Sequence, residues 1–90
     1  MKTYAYDYTI SPDNSPEKFK EIREKLKENG FGDGEFHCDV DGSTIQSYTT
    51  SAGEILVFDD YDIGAVYVKS DVNLDKVLES LIWKFDKKGA

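Results

Sequence analysis

Ninety residues form one domain, 1–90, with its last few residues frayed; a chain of this size buries only about 60–65% of its unfolded surface, which excludes a second core. Hydrophobic content of 39% with five Phe, six Tyr and one Trp specifies a folded core, and 32% charged residues a charge-rich exterior. The formal charge of -7 disfavours nucleic-acid phosphates as a direct ligand and favours basic partners.

A lone cysteine, Cys38, leaves no internal disulfide, and MKTYAYDYTI lacks the basic-then-apolar pattern of a secretory leader. No apolar run reaches the roughly 18 residues that span a bilayer. The expected location is cytoplasmic, away from membranes.

The acids are unevenly distributed. Between Phe31 and Asp62 stand eight, Asp33, Glu35, Asp39, Asp41, Glu54, Asp59, Asp60 and Asp62, with no Lys or Arg. The other residues hold ten acids and eleven Lys and Arg, so the middle third carries -8 and the remainder +1. A one-signed field of this kind suits a positively charged partner, although acids also keep a small β-rich segment soluble and shield its edges.

In chain order, Thr3 to Ile10 alternates with Tyr4, Tyr6, Tyr8 and Ile10 on one face, the period of a half-buried strand. Ser11-Pro12-Asp13-Asn14 is a turn, and Ser15-Pro16 caps a helix whose stripe is Phe19, Ile22 and Leu26 and whose stop is Gly30. Glu35 to Val40 reads as a strand with Phe36, Cys38 and Val40 inward. Asp41-Gly42 then predicts a two-residue type I′ hairpin, setting Cys38 opposite Ile45 and Asp39 opposite Thr44. Ser43 to Thr50 is weakly apolar and is expected at an edge.

Gly53 to Asp71 is the most apolar stretch and the centre of the expected fold. Ile55–Phe58 and Ile63–Val68, joined by Asp59-Asp60-Tyr61-Asp62, predict a central hairpin with Phe58 opposite Ile63, Leu56 opposite Ala65 and Ile55 opposite Val66. After Ser70 the period becomes helical, with Leu74, Val77, Leu78, Leu81, Ile82 and Phe85 as the stripe and Trp83 off its centre. The expected class is α+β, in the order β-α-β-β-β-β-α, an antiparallel-rich sheet with two helices packed on one face. Its other face would expose Thr, Tyr, Gln and Asp around apolar residues of the central hairpin.

The catalytic inventory is thin. His37 and Cys38 are adjacent on a strand and point to opposite faces, and one His with one Cys cannot build a zinc site of the usual kind. Gly32-Asp33-Gly34 follows a helix, the reverse of a phosphate-binding loop. His37, Asp39 and Asp41 fall on one strand face about 6.6 Å apart, and Asp59, Asp60 and Asp62 crowd one turn. Neither group matches a calcium loop, so these are read as solvated acids, with no metal and no cofactor.

Tyr6-Asp7 near the end of the first strand, followed by a polar loop, a helix of mixed charge and Gly30, resembles the opening of ferredoxin-like small nucleases. That resemblance covers the first third of the chain and implies a metal-dependent nuclease using Asp7. The family's second helix between the middle strands has no counterpart, since Thr49 to Gly53 is too short for it.

The leading expectation is a small acidic non-enzymatic module, an inhibitor of the immunity, antitoxin or phage anti-defence type that blocks a basic, nucleic-acid-handling protein such as a nuclease. Its contact residues are Glu35, Asp39, Asp41, Glu54, Asp59, Asp60, Tyr61 and Asp62. The alternatives are the Asp7 nuclease and a homodimer that pairs the uncovered sheet face.

Overall fold

Phe19, Ile22 and Leu26 are buried on one side of the helix α1 (Pro16–Glu28), as their spacing requires. Ser15 is the N-cap, its hydroxyl accepting from the Lys18 N–H at 3.2 Å, and Pro16 supplies a fixed φ where no donor is needed. Asn29 closes the helix, and the Phe31 N–H turns back to the Leu26 carbonyl at 3.0 Å. The computed structural model describes residues 3–83.

Five strands complete the described part, β1 (Tyr6–Ser11), β2 (Glu35–Cys38), β3 (Thr44–Thr50), β4 (Gly53–Asp60) and β5 (Ala65–Ser70). They form one sheet in the order β1-β5-β4-β3-β2, antiparallel at every pairing. The class is therefore α+β. The strands β2 to β5 follow one another as a meander, while β1 joins the far side of β5. That puts β1 and β2 at opposite edges, and α1 carries the chain between them beneath the sheet.

The covered face is apolar because alternation puts Tyr8 and Ile10, Val66 and Val68, Ile55 and Val57, and Tyr48 on one side, all in one buried cluster with the helix stripe. Phe58, Leu56, Ile45 and Tyr67 point to the other side and stay half-buried.

Several expectations need correction. The first strand begins at Tyr6 rather than Thr3. In the central hairpin Phe58 pairs with Tyr67, Leu56 with Lys69 and Ile55 with Ser70. The cause is local: the Asp60 carboxylate accepts from the N–H groups of Asp62 and Ile63, and the Asp60 carbonyl from Gly64, so β4 runs to Asp60 before a four-residue turn. Ile63 becomes an exposed turn residue.

The β2–β3 connection slips by one residue, with Cys38 opposite Thr44 and His37 opposite Ile45. Only Gly42 takes positive φ there, at 92°, so the loop is the three-residue Val40-Asp41-Gly42 closed by Asp39 N–H to Ser43 carbonyl at 2.8 Å. Val40 is consequently exposed, as are Phe36 and Cys38 on the short edge strand. It is β2, not β3, that occupies the edge; β3 lies inside it with Gln46 and Tyr48 buried on the helix side.

A second helix is expected from Leu74, yet residues 75–81 make successive turns with two i,i+4 links, from the Leu78 N–H to the Leu74 carbonyl and from the Ile82 N–H to the Leu78 carbonyl, and no continuous helical ladder. Leu74 and Leu78 are fully buried, so the stripe does its packing without a regular helix. Two anchors divert the segment. Tyr8 Oη accepts from the Leu74 N–H and donates to Asp75, both at 2.8 Å, and the Trp83 N–H reaches the Thr9 carbonyl at 2.9 Å. Burial and the Asp75 carboxylate push the Tyr8 phenol up to about 12, so it remains a donor throughout the physiological range. Phe85 and the expected frayed end lie outside the described residues.

Candidate functional site

Both loops richest in acid meet at one end of the sheet, because β3 starts where β4 ends. Thr44 pairs with Asp59, and the Tyr61 N–H donates to Ser43 Oγ at 2.7 Å, locking the β4–β5 turn against the β2–β3 turn. Asp39 and Asp41 on one turn and Asp62 on the other are exposed. The Tyr61 ring, half-exposed, lies over Gly42, where a β-carbon would come within 3.2 Å of it. Any larger residue at position 42 would push that ring away.

The expected contact residues thus divide. Asp39, Asp41, Asp60, Tyr61 and Asp62 come together at this end. Glu35 sits on the edge strand with its carboxylate 3.8 Å from His37 Nε2, and Glu54 lies at the opposite end of β4, accepting from Tyr4 Oη at 3.1 Å. Asp59 is the correction: it is 3% exposed. The β4 alternation that buries Ile55 and Val57 buries Asp59 as well, and Asn14 Nδ2 donates to its carboxylate at 2.7 Å.

Asp60 is exposed in part but already occupied. Besides the two turn N–H groups it accepts from Tyr67 Oη at 2.8 Å, and that hydrogen bond above all holds its carboxyl below the ordinary carboxylate value. Burial, and then Asp60 itself, raise the Tyr67 phenol, which keeps it protonated as the donor. A depressed folded-state carboxyl contributes stability that is present above its unfolded value near pH 4 and is lost as pH falls through the lower folded value. Tyr67→Phe is expected to cost about 1 kcal/mol at neutral pH. Its stability should also fall less steeply below about pH 4. Thermal unfolding across that range checks both; an unchanged acid limb would refute the coupling.

Across the open face run two rungs, His37–Ile45–Phe58–Tyr67–Thr9 and Glu35–Ser47–Leu56–Lys69–Asp7. Phe58 and Tyr67 stack at 4.6 Å between centroids. Thr, Tyr and Asp occupy this face as expected, but Gln46 belongs to the covered one. Asp7, the residue singled out by the nuclease resemblance, is bound to Lys69 Nζ at 2.8 Å. Among the described residues no three His, Cys, Asp or Glu side chains converge as a metal site.

Sequence reasoning missed the two polar residues that build the acidic end, Asn14 and Ser43. A short polar residue in a loop carries no periodic signal, so only the fold reveals which carboxylate or N–H it serves. No helix among the described residues is long and apolar enough to cross a membrane. Comparison with protein-family models, curated proteins and solved structures finds no match to this chain.

Proposed function

We propose that this chain is a small non-enzymatic protein-binding module, an inhibitor that sets its acidic turns against a basic, nucleic-acid-handling protein. One observation supports it most directly. Asp39, Asp41 and Asp62 project from two interlocked turns, and none is in an ion pair among the described residues, where Lys18, Lys27 and Lys69 pair with other acids. Unpaired carboxylates held on a rigid edge steer a cationic partner and fix its register more than they add raw affinity. Tyr61 stands among them as an aromatic anchor of the kind that carries binding energy at interface centres.

The test is capture of a partner from lysate by the wild-type chain and by the triple variant Asp39→Lys, Asp41→Lys, Asp62→Lys. All three positions are exposed, but Asp39 Oδ1 and Asp41 Oδ1 accept from the Val40 and Ser43 N–H groups at 2.9 Å, so thermal unfolding must first show the variant folded. The reading requires a basic partner whose binding weakens with added salt and falls at least about a hundredfold in the triple variant. Equal capture by both chains would end it.

The stacked pair Phe58 and Tyr67 with Leu56 and Ile45 on the open face favours a second reading, a homodimer through that face. Sedimentation velocity separates the two. A monomer at high protein concentration removes the dimer.

A further inference from the structure

A cleft of about 620 Å³ opens between α1 and the β2–β3 edge, with no residue of the acidic turns in its lining. Lys20, Arg23 and Lys27 line its helix side, recurring at spacings of three and four, together with Glu24; Asp33, Phe36, Gln46 and Tyr48 line the other side, so the lining carries three cations against two carboxylates. Volumes in this range hold small organic ligands. Two of the residues that line it carry buried polar atoms without a hydrogen-bond partner.

Gln46 is 4% exposed and Tyr48 is 2% exposed, and both contribute to the wall of the cleft. Gln46 Nε2 donates to the Asp33 carbonyl, which fixes the amide and leaves Oε1 as a buried acceptor with no protein partner. The Tyr48 hydroxyl is likewise buried without a protein partner. Leaving such a group unbonded costs about 1–3 kcal/mol, so two of them on one wall ask for a ligand that bonds to both. Burial raises the Tyr48 phenol, and the nearby Arg23 charge acts in the opposite sense.

The rest of the cleft restricts that ligand. Lys27 is engaged by Asp33 at 3.2 Å, while Arg23 lies over the Phe19 ring at 5.9 Å and Lys20 forms no ion pair among the described residues. Two cations, Lys20 and Arg23, are therefore open to an anionic head, opposed by the one lining carboxylate, Glu24, that is in no ion pair among the described residues. Phe36 is 55% exposed, and its one described ring contact is edge-on to Phe19 at 6.4 Å, so it presents an aromatic surface to the cleft.

We propose that this cleft binds a small organic anion with three features: a phosphate or carboxylate head for Arg23 and Lys20, a planar body for Phe36, and an edge that donates to Gln46 Oε1 and bonds to the Tyr48 hydroxyl. Nucleoside monophosphates carry all three and are the probes of choice. The site is independent of the acidic turns, none of whose residues line it.

Titrating the isotope-labelled full chain with each of the four nucleoside monophosphates tests the assignment. Saturable shifts of the Gln46 side-chain amide and Arg23 Nε resonances are expected with at least one of them, with inorganic phosphate and the free nucleosides each binding at least about tenfold more weakly. Tyr48→Phe should keep the fold, since it removes an unbonded hydroxyl, and weaken binding about tenfold or more. Arg23→Gln, at an exposed position, should do the same and carries the test if Tyr48→Phe unfolds. The proposal is overturned by no saturable shift at millimolar probe, by inorganic phosphate matching the nucleotides, or by either folded variant binding like wild type. The first result would leave the two buried groups to water alone.

Discussion

Gly53→Ala is expected to destabilise this protein by about 3–5 kcal/mol, enough to lower Tm by about 15 °C or more in a domain of this length. Two separate costs combine at that position. Gly53 opens β4 with φ at 133°, a region that residues with a β-carbon scarcely enter. An added β-carbon would also collide with the side chain of Asp71. Asp71 cannot retreat freely, because its Oδ2 accepts from the Glu54 N–H and its own N–H donates to the Glu54 carbonyl, both at 2.9 Å. Those bonds tie the chain leaving β5 to the start of β4.

Gly30→Ala provides the control. Gly30 also has positive φ, 87°, but a β-carbon there would meet nothing within 4 Å. It should therefore show the backbone cost alone, about 1–2 kcal/mol. Chemical denaturation of the two variants side by side measures the difference. Equal losses would mean that the contact with Asp71 contributes nothing.

How far such features can be read from the chain depends on how local their causes are. The helix was fully legible: Ser15-Pro16, the stripe Phe19-Ile22-Leu26 and Gly30 are set within one element, and each sits where its chemistry places it. The inward face of β1 was legible for the same reason, since alternation of Tyr6, Tyr8 and Ile10 needs no partner strand. Register was not. The slip at Val40-Asp41-Gly42 and the longer β4 both turn on which side chain accepts which backbone N–H, and Asp-Gly is compatible with two- and three-residue loops alike. The place of β3 was hidden too, because Gln46 looks like a surface residue until α1 is laid across it. Of the acidic end, the run of acids from Asp33 to Asp62 was visible in the sequence, but the meeting of the two turns was not, because it depends on strand order; the removal of Asp59 from the surface followed from a strand extended by two residues.

Asn14→Ala should cost about 2–4 kcal/mol, a large loss for one amide in a loop. Asn14 Nδ2 donates to Asp59 at 2.7 Å and to the Asp60 carbonyl at 3.0 Å, so it joins the loop between β1 and α1 to the end of β4. Asp59 is buried with no ion-paired cation among the described residues, and the Asn14 amide is the side-chain donor that compensates its carboxylate. Removing that donor leaves the carboxylate without its side-chain partner until water fills the space of the exposed Asn14 side chain, so the loss exceeds that of a neutral hydrogen bond. A neutral amide is cheaper to bury than a charge. Asp59→Asn placed in the Asn14→Ala background should therefore recover about half of the loss, although in the wild-type background the same change should cost no more than about 1 kcal/mol. Denaturation of the four proteins closes the cycle, and an additive result would show that the amide and the carboxylate do not support one another. The cycle also bears on the acidic end, because the turn that presents Tyr61 and Asp62 follows directly from the residues Asn14 holds. An Asn14→Ala chain that stays folded yet loses its basic partner would mark Asn14 as the brace of that surface, and one that keeps the partner at full affinity would confine its role to stability.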